Sequence, residues 1–435
     1  MKKLKRSIKK TLTSLSKRSV VIRYLFRKTL HIKRSLSYRK HYKKNDVDEN
    51  LIIFESYMGR SYACSPKAIY EEMINDPKFK DFKFVWAFKK PNNYRHIQKC
   101  KHCGVGNDSL KKSTIVKYGS KKYYSYYSKA KYWITNSRLP EQIKKKDNQV
   151  YIQCWHGTPL KRLGHDIIAE TKNALNTKKE MLKKYDADAK RYNYMISPSK
   201  FCSDKLTSAF NLKKLHSDNI IIEEGYPRND FLKNYTKSDV TQIKKELGLP
   251  DDKKILLYAP TWRDDQHTSG LGYTYKTEAD FDYLKEHLEE DYIILFRAHY
   301  FVANKFDFDK YEGFIYNVSN VDDVSDLYII SDVLMTDYSS VFFDYANLKR
   351  PMIFFMYDLE YYENDLRGFY LDLKELPGDI VKEEVEIVKI LNNLQKYNKK
   401  HKSKYETFNK KFNYLDDGNA SKRVIEEVFN KEDLK

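Results

Sequence analysis

The stretch Val150-Tyr151-Ile152-Gln153-Cys154-Trp155-His156-Gly157-Thr158-Pro159-Leu160-Lys161-Arg162-Leu163-Gly164 decides the fold. Its opening residues form a short apolar run that predicts a buried strand. A His, a Gly, a hydroxyl, a Pro and two cations follow within seven residues. A strand that stops in a Gly/Pro turn, with a titratable side chain at its tip, is how α/β proteins build sites. Two further stretches share this grammar. Tyr292 to Phe296 runs into Arg297-Ala298-His299, and Val333-Leu334-Met335 runs into Thr336-Asp337-Tyr338-Ser339-Ser340. We expect the three to face one cleft from two domains.

Working outward, the same kind of apolar run recurs. Leu51–Glu55, Phe84–Phe88, Lys131–Asn136, Tyr194–Ser197 and Ile220–Ile222 read as strands before residue 230. Lys254–Pro260, Tyr292–His299, Val333–Asp337 and Pro351–Phe355 read as strands after it. Helical patterns lie between them, opening at Ser65-Pro66 and Ser199 and running over Val324–Ile330 and from about Val381 to the end. Strands alternating with helices predict parallel, doubly wound α/β sheets. The Tyr-rich run Tyr118–Tyr132 reads as a helix packed on the sheet rather than a base-stacking platform. A chain of 435 residues exceeds the usual single domain. Gly225-Tyr226-Pro227 and Gly248-Leu249-Pro250 punctuate the middle, so the division expected is 1–44, 45–230 and 231–435.

Charge is distributed unevenly. Residues 1–44 hold 17 Lys/Arg and no acid, which leaves +4 of the chain's +21 for the other 391 residues. Leu4, Ile8, Leu12 and Leu15 recur at helical spacing in that leader. A basic amphipathic helix suits an anionic membrane surface. Nucleic acid and a plain solubilising tail are the rival readings, but a near-neutral body makes a nucleic-acid-binding module the weaker one. No apolar run reaches the length of a membrane span. The five cysteines are odd in number and scattered. Cys100-Lys101-His102-Cys103 lacks a second ligand pair, so free thiols in a reducing compartment fit better than zinc.

There is no G-x-x-x-x-G-K-[ST], G-x-S-x-G or H-E-x-x-H, which counts against NTPase, lipase-type and zincin chemistry. Asp337 or Ser339 predicts an N-cap, and Ser339 and Ser340 at a helix start predict a phosphate site made of free N–H groups and hydroxyls. His156 and His299 are each either structural or catalytic. Nothing in these patterns calls for a divalent metal or a tightly bound cofactor.

Five strings occur in register. They are Trp155-His156-Gly157-Thr158-Pro159-Leu160-Lys161, Gly225-Tyr226-Pro227-Arg228-Asn229-Asp230, Ala259-Pro260-Thr261-Trp262-Arg263, Arg297-Ala298-His299, and Thr336-Asp337-Tyr338-Ser339-Ser340 with Phe343-Asp344-Tyr345. Together they resemble the CDP-glycerol:glycerophosphotransferase family of teichoic acid synthesis, from about Glu55 to Pro377. The resemblance implies a GT-B-type fold, with two Rossmann-like domains facing a cleft. It implies transfer of glycerol phosphate from CDP-glycerol to a hydroxyl of a lipid-linked acceptor, with release of CMP, by a peripheral enzyme on the cytoplasmic side of a bacterial membrane. It makes His156 the candidate base and His299 the donor-phosphate ligand. Ser339 and Ser340 become the pyrophosphate site. Gly157, Thr158, Lys161, Arg228, Asn229, Thr261, Arg263, Arg297, Thr336, Asp337 and Asp344 become substrate-binding candidates. One departure is Tyr300, which stands where the family has Pro. A CDP-ribitol enzyme and a sugar-nucleotide glycosyltransferase of the same fold remain as alternatives. Product length and oligomeric state are not encoded in these motifs.

Overall fold

A computed structural model describes residues 20–99, 108–168, 178–261, 267–268, 272–273, 279–298, 306–360 and 368–433. Two parallel sheets organise the chain. The first holds β1 (Asp48–Glu55), β2 (Lys83–Phe88), β3 (Ser113–Lys117), β4 (Ala130–Thr135), β5 (Val150–Gln153), β6 (Tyr194–Ser197) and β7 (Ile221–Glu223). They lie in the order β3-β2-β1-β4-β5-β6-β7, with every pair parallel. The second sheet is interrupted in sequence, after its first strand, by a separate short ladder of β9 (His267–Thr268) with β10 (Gly272–Tyr273). It holds β8 (Lys254–Ala259), β11 (Tyr292–Phe296), β12 (Ile315–Asn317), β13 (Val333–Thr336), β14 (Met352–Phe355) and β15 (Ile380–Val381), in the order β12-β11-β8-β13-β14-β15. Both orders reverse direction beside the first strand, which is the doubly wound arrangement. In such sheets the crevice lies beyond the carboxyl ends of the strands at that reversal. The reversal falls between β1 and β4 in the first domain and between β8 and β13 in the second.

Strands buried on both faces need apolar residues at nearly every position. Leu51–Phe54 and Ile255–Leu257 meet that demand at 3% exposure or less. The Tyr-rich run behaves as expected. Ser120 caps the helix Lys121–Lys129, and Tyr123, Tyr124 and Tyr127 are buried against the sheet. Strands β3, β12 and β15 were not foreseen. They are edge strands of two to five residues, too short to form an apolar run that stands out from loops.

The domains exchange parts. Leu160, from the loop after β5, is buried in the second core. The last helix, Ala420–Asp433, returns to the first core, where Val424, Ile425, Val428 and Phe429 are buried and Phe429 lies 4.4 Å from the Tyr132 ring. Residues 231–435 therefore do not form one packing unit. The start of that helix takes its cap from a distant segment: Asp230 accepts from the Ala420 and Ser421 N–H groups at 2.9 and 2.7 Å. The described part of the leader is the helix Val20–Lys44. Tyr38 anchors it, buried beside Tyr124 and donating to the Lys144 carbonyl at 2.5 Å. The Leu4–Leu15 stripe and the Cys100–Cys103 pair lie outside the described residues.

Candidate active site

The first-domain half of the site grows from Asn136, which follows β4 and is fully buried. Its side-chain oxygen accepts from the Tyr57 N–H at 2.7 Å, fastening the loop after β1 across the reversal point. That loop needs fastening because Tyr57, Met58 and Gly59 have φ of 48°, 57° and 72°, a region that costs non-glycine residues energy. The backbone carbonyl of Asn136 lies 2.7 Å from His156 Nδ1. A carbonyl can only accept, so Nδ1 carries the proton and Nε2 keeps its lone pair.

His156 stands just beyond β5. Trp155 is turned to φ 50° beneath it, with ring centroids 4.1 Å apart, and the Tyr57 ring lies edge-on at 6.1 Å. Removal from bulk water pushes the imidazole pKa down to about 4. Arg228 and Arg138 push the same way, and the bond to Asn136 opposes them. The ring still opens onto cleft solvent, which moderates the cost of charging it. Either way it is neutral at pH 7, with a basic nitrogen available.

The next residue brings the second domain to it. A Cβ built on Gly157 would fall 2.8 Å from Ser340 Oγ, so glycine is what lets the two loops touch. Ser340 precedes a helix of five residues, Val341–Tyr345, that runs straight into a 3-10 turn and has no side-chain cap. This is shorter than the sequence suggested, and its dipole is correspondingly short. Asp337 is occupied elsewhere. It accepts from Thr261 N at 2.7 Å and Tyr338 N at 2.6 Å, tying the loops after β8 and β13 together at the second reversal point. Thr336 bonds the Ala259 carbonyl at 2.7 Å and is buried. Ser339 and Ser340, half-buried, are the hydroxyls at the surface of that loop.

Arg228, Asn229 and Asp344 form an interdomain knot rather than an open lining. Arg228 donates to Asp344 at 2.7 Å and stacks on Tyr226 at 4.4 Å. Burial opposes the Arg228 charge, but the Asp344 carboxylate together with Cys64, Tyr226 and Tyr57 outweighs it and raises its pKa. Asn229 reaches Asp344 at 3.3 Å and Asp416 at 2.7 Å. Asp416 also accepts from Tyr226 N and Asn347, while its burial pushes its pKa up to about 6. Sequence reasoning missed Asp416. It sits in a turn between helices with no motif around it.

Other candidates are committed to the scaffold as well. Arg297 donates to the Val318 and Val321 carbonyls at 3.2 and 2.8 Å, holding the loop after β12. Thr158 is buried. The main chain of Lys161 pairs with that of Phe369 in an antiparallel bridge that fastens the two domains, flanked by Tyr370 N to Leu160 O at 2.8 Å, which leaves the Lys161 side chain as a substrate-binding candidate. His299 and Arg263 lie outside the described residues. The structure thus brings His156, Gly157 and Ser340 together, with the Arg228 knot behind them. Among the described residues, no group of three or more His, Cys, Asp or Glu is placed to share a metal ion.

This geometry can be set beside known proteins. Residues 36–430 match the family described as CDP-Glycerol:Poly(glycerophosphate) glycerophosphotransferase. The teichoic acid poly(glycerol phosphate) polymerase of Staphylococcus epidermidis is 40% identical over 92% of this chain and 54% of that protein. The polymerase of the same name from Bacillus spizizenii is 38% identical over 88% of this chain and 92% of that protein. The chain spans about half the length of the S. epidermidis and Bacillus subtilis relatives. The solved structure of the wall teichoic acid polymerase TagF superposes with a TM-score of 0.80 at 38% identity, covering 94% of this chain and 98% of that one. TagF has also been solved as a histidine-to-asparagine variant soaked with CDPG. The chain belongs to the CDP-glycerol:poly(glycerophosphate) glycerophosphotransferase family.

Proposed function

We propose that the chain transfers glycerol phosphate from CDP-glycerol to a hydroxyl of a lipid-linked acceptor. The observation that carries this reading is the fixed tautomer of His156 beside the Gly157–Ser340 contact. An alcohol does not ionise at pH 7, so its attack on phosphorus needs a base positioned for the proton. The acceptor oxygen attacks the phosphorus that bears glycerol, and its proton passes to Nε2 of His156. The bond from that phosphorus to the CMP oxygen breaks, and CMP leaves with its electron pair. Nδ1–H, held on the Asn136 carbonyl, steadies the imidazolium that forms. Ser339 and Ser340 supply hydroxyls on the donor side, and we assign His299 and Arg263 to the donor phosphates on the strength of the resemblance.

We also assign the enzyme to the surface of an anionic membrane. Ile32 and Leu36, 48% and 61% exposed, are one turn apart on the helix Val20–Lys44 among Lys and Arg. No described helix is long and apolar enough to cross a membrane. The test is incubation with CDP-glycerol, CDP-ribitol or a sugar nucleotide as donor and a lipid-linked acceptor. CMP released from CDP-glycerol supports the reading; a nucleoside diphosphate from a sugar donor, or preference for CDP-ribitol, overturns it.

A further inference from the structure

A groove of about 1330 Å³ runs between the helix Val20–Lys44 and the first domain. It exceeds the ~300–1,000 Å³ usual for small ligands, which suits an extended occupant. Eight Lys or Arg line it against four carboxylates. Among the described residues, Arg39, Lys43, Lys144, Lys183 and Lys190 line it without an ion-pair partner. Like charges gathered along a concave wall repel one another, and the arrangement is relieved by an anion that runs along them.

The groove is joined to the candidate site by the chain itself. The segment that starts at Asn136, whose carbonyl holds His156, continues through Arg138, close enough to lower the His156 pKa, and reaches the groove at Glu141–Asp147. Its wall is braced. Arg191 donates to the Leu139, Pro140 and Ile143 carbonyls, and His165 Nε2 meets Asp186 Oδ1 at 2.7 Å, tying the loop that bears His156 to the helix Lys178–Ala189. The far wall is the helix that exposes Ile32 and Leu36.

We infer that this groove holds the phosphodiester chain of a growing polyol-phosphate acceptor, with the chain's free end at His156 and its lipid end toward Ile32 and Leu36. The inference rests on the phosphotransferase reading for the identity of the polyanion. A bilayer is flat and reaches only the outer face of the helix, whereas these cations, although exposed to solvent, line the two walls of a concave groove. A flexible chain carrying one charge per unit can enter and neutralise them.

The test uses the full chain with Lys144, Lys183 and Lys190, the three groove cations that lie off the leader helix, all changed to Glu. All three are exposed, so the fold tolerates the changes, and a matching set of Gln variants controls for repulsion. The probes are a lipid-free synthetic oligo(glycerol phosphate), phosphatidylglycerol vesicles and CDP-glycerol. Oligomer affinity falls at least about tenfold in the Glu set, and the log–log salt slope of binding drops by about 0.7 for each cation lost in the Gln set. Vesicle sedimentation and donor affinity stay at wild-type values. Unchanged oligomer binding overturns the inference. So does vesicle binding that falls in parallel, because the cations then serve the membrane. Failure of the phosphotransferase reading is a separate result: a wild-type chain that releases no CMP from CDP-glycerol, whatever its affinity for the oligomer.

Discussion

Gly157 and Ser340, 183 positions apart in the chain, stand so close that a Cβ on the first would lie 2.8 Å from the hydroxyl of the second. One belongs to the loop after β5 and the other to the loop after β13, so the contact sets the width of the cleft at the candidate site. A methyl here has to push a domain. Gly157→Ala should lower turnover and raise donor KM, at a packing cost of about 1–3 kcal/mol. Ser340→Gly removes the hydroxyl in the way. Added to Gly157→Ala, it should restore part of the loss, with a coupling of about 0.5–3 kcal/mol read from the double-mutant cycle. Additive losses would mean that the two residues do not touch in the working enzyme.

The Arg228–Asp344 pair is buried on both sides, at 6% exposure each. Deleting one partner strands the other charge out of water. Arg228→Ala should cost about 3–5 kcal/mol in urea unfolding. Arg228→Met with Asp344→Leu should recover most of it. A single variant of wild-type stability with a raised donor KM would return Arg228 to the role of substrate ligand.

Glu55 ends β1 with its carboxylate accepting from Tyr123 and Tyr127 at 2.9 and 3.0 Å. Burial still pushes its pKa up to about 7 from 4.5. A folded-state value above the unfolded one means the native protein holds this proton more tightly. The stability this confers is complete below 4.5 and is lost as pH rises through about 7. Glu55→Gln should therefore stabilise the protein by about 2–4 kcal/mol above that window and change little below it. Equal effects at both ends in denaturant titrations would rule out the buried charge as the cause.

The strands were legible because parallel sheets covered on both faces demand unbroken apolar runs, and Leu51–Phe54, Val150–Ile152 and Ile255–Leu257 supply them. His156 was legible because a His in a Gly/Pro turn at a strand end is unusual. What holds it was not. Asn136 grips His156 through a main-chain carbonyl, which leaves no mark on residue identity. The commitments of Arg228, Arg297 and Asp337 were hidden for a different reason. A cation or carboxylate beside a strand end looks the same in sequence whether it faces a ligand or a partner more than a hundred residues away, as Arg228 and Asp344 do. The return of helix Ala420–Asp433 to the first core was equally silent, since its amphipathic pattern fits either domain.

The account turns on His156 as a neutral base, and the pH dependence of kcat/KM for CMP release tests it most directly. The profile should stay flat as pH falls through 6.5, the ordinary imidazole value, and drop only below it, because partial removal from bulk water pulls the His156 pKa down. His156→Ala should lose about 10²–10⁴-fold in kcat with donor affinity nearly intact, and this acid limb should vanish with it. A His156→Ala enzyme that keeps both its rate and the same acid limb would contradict the account.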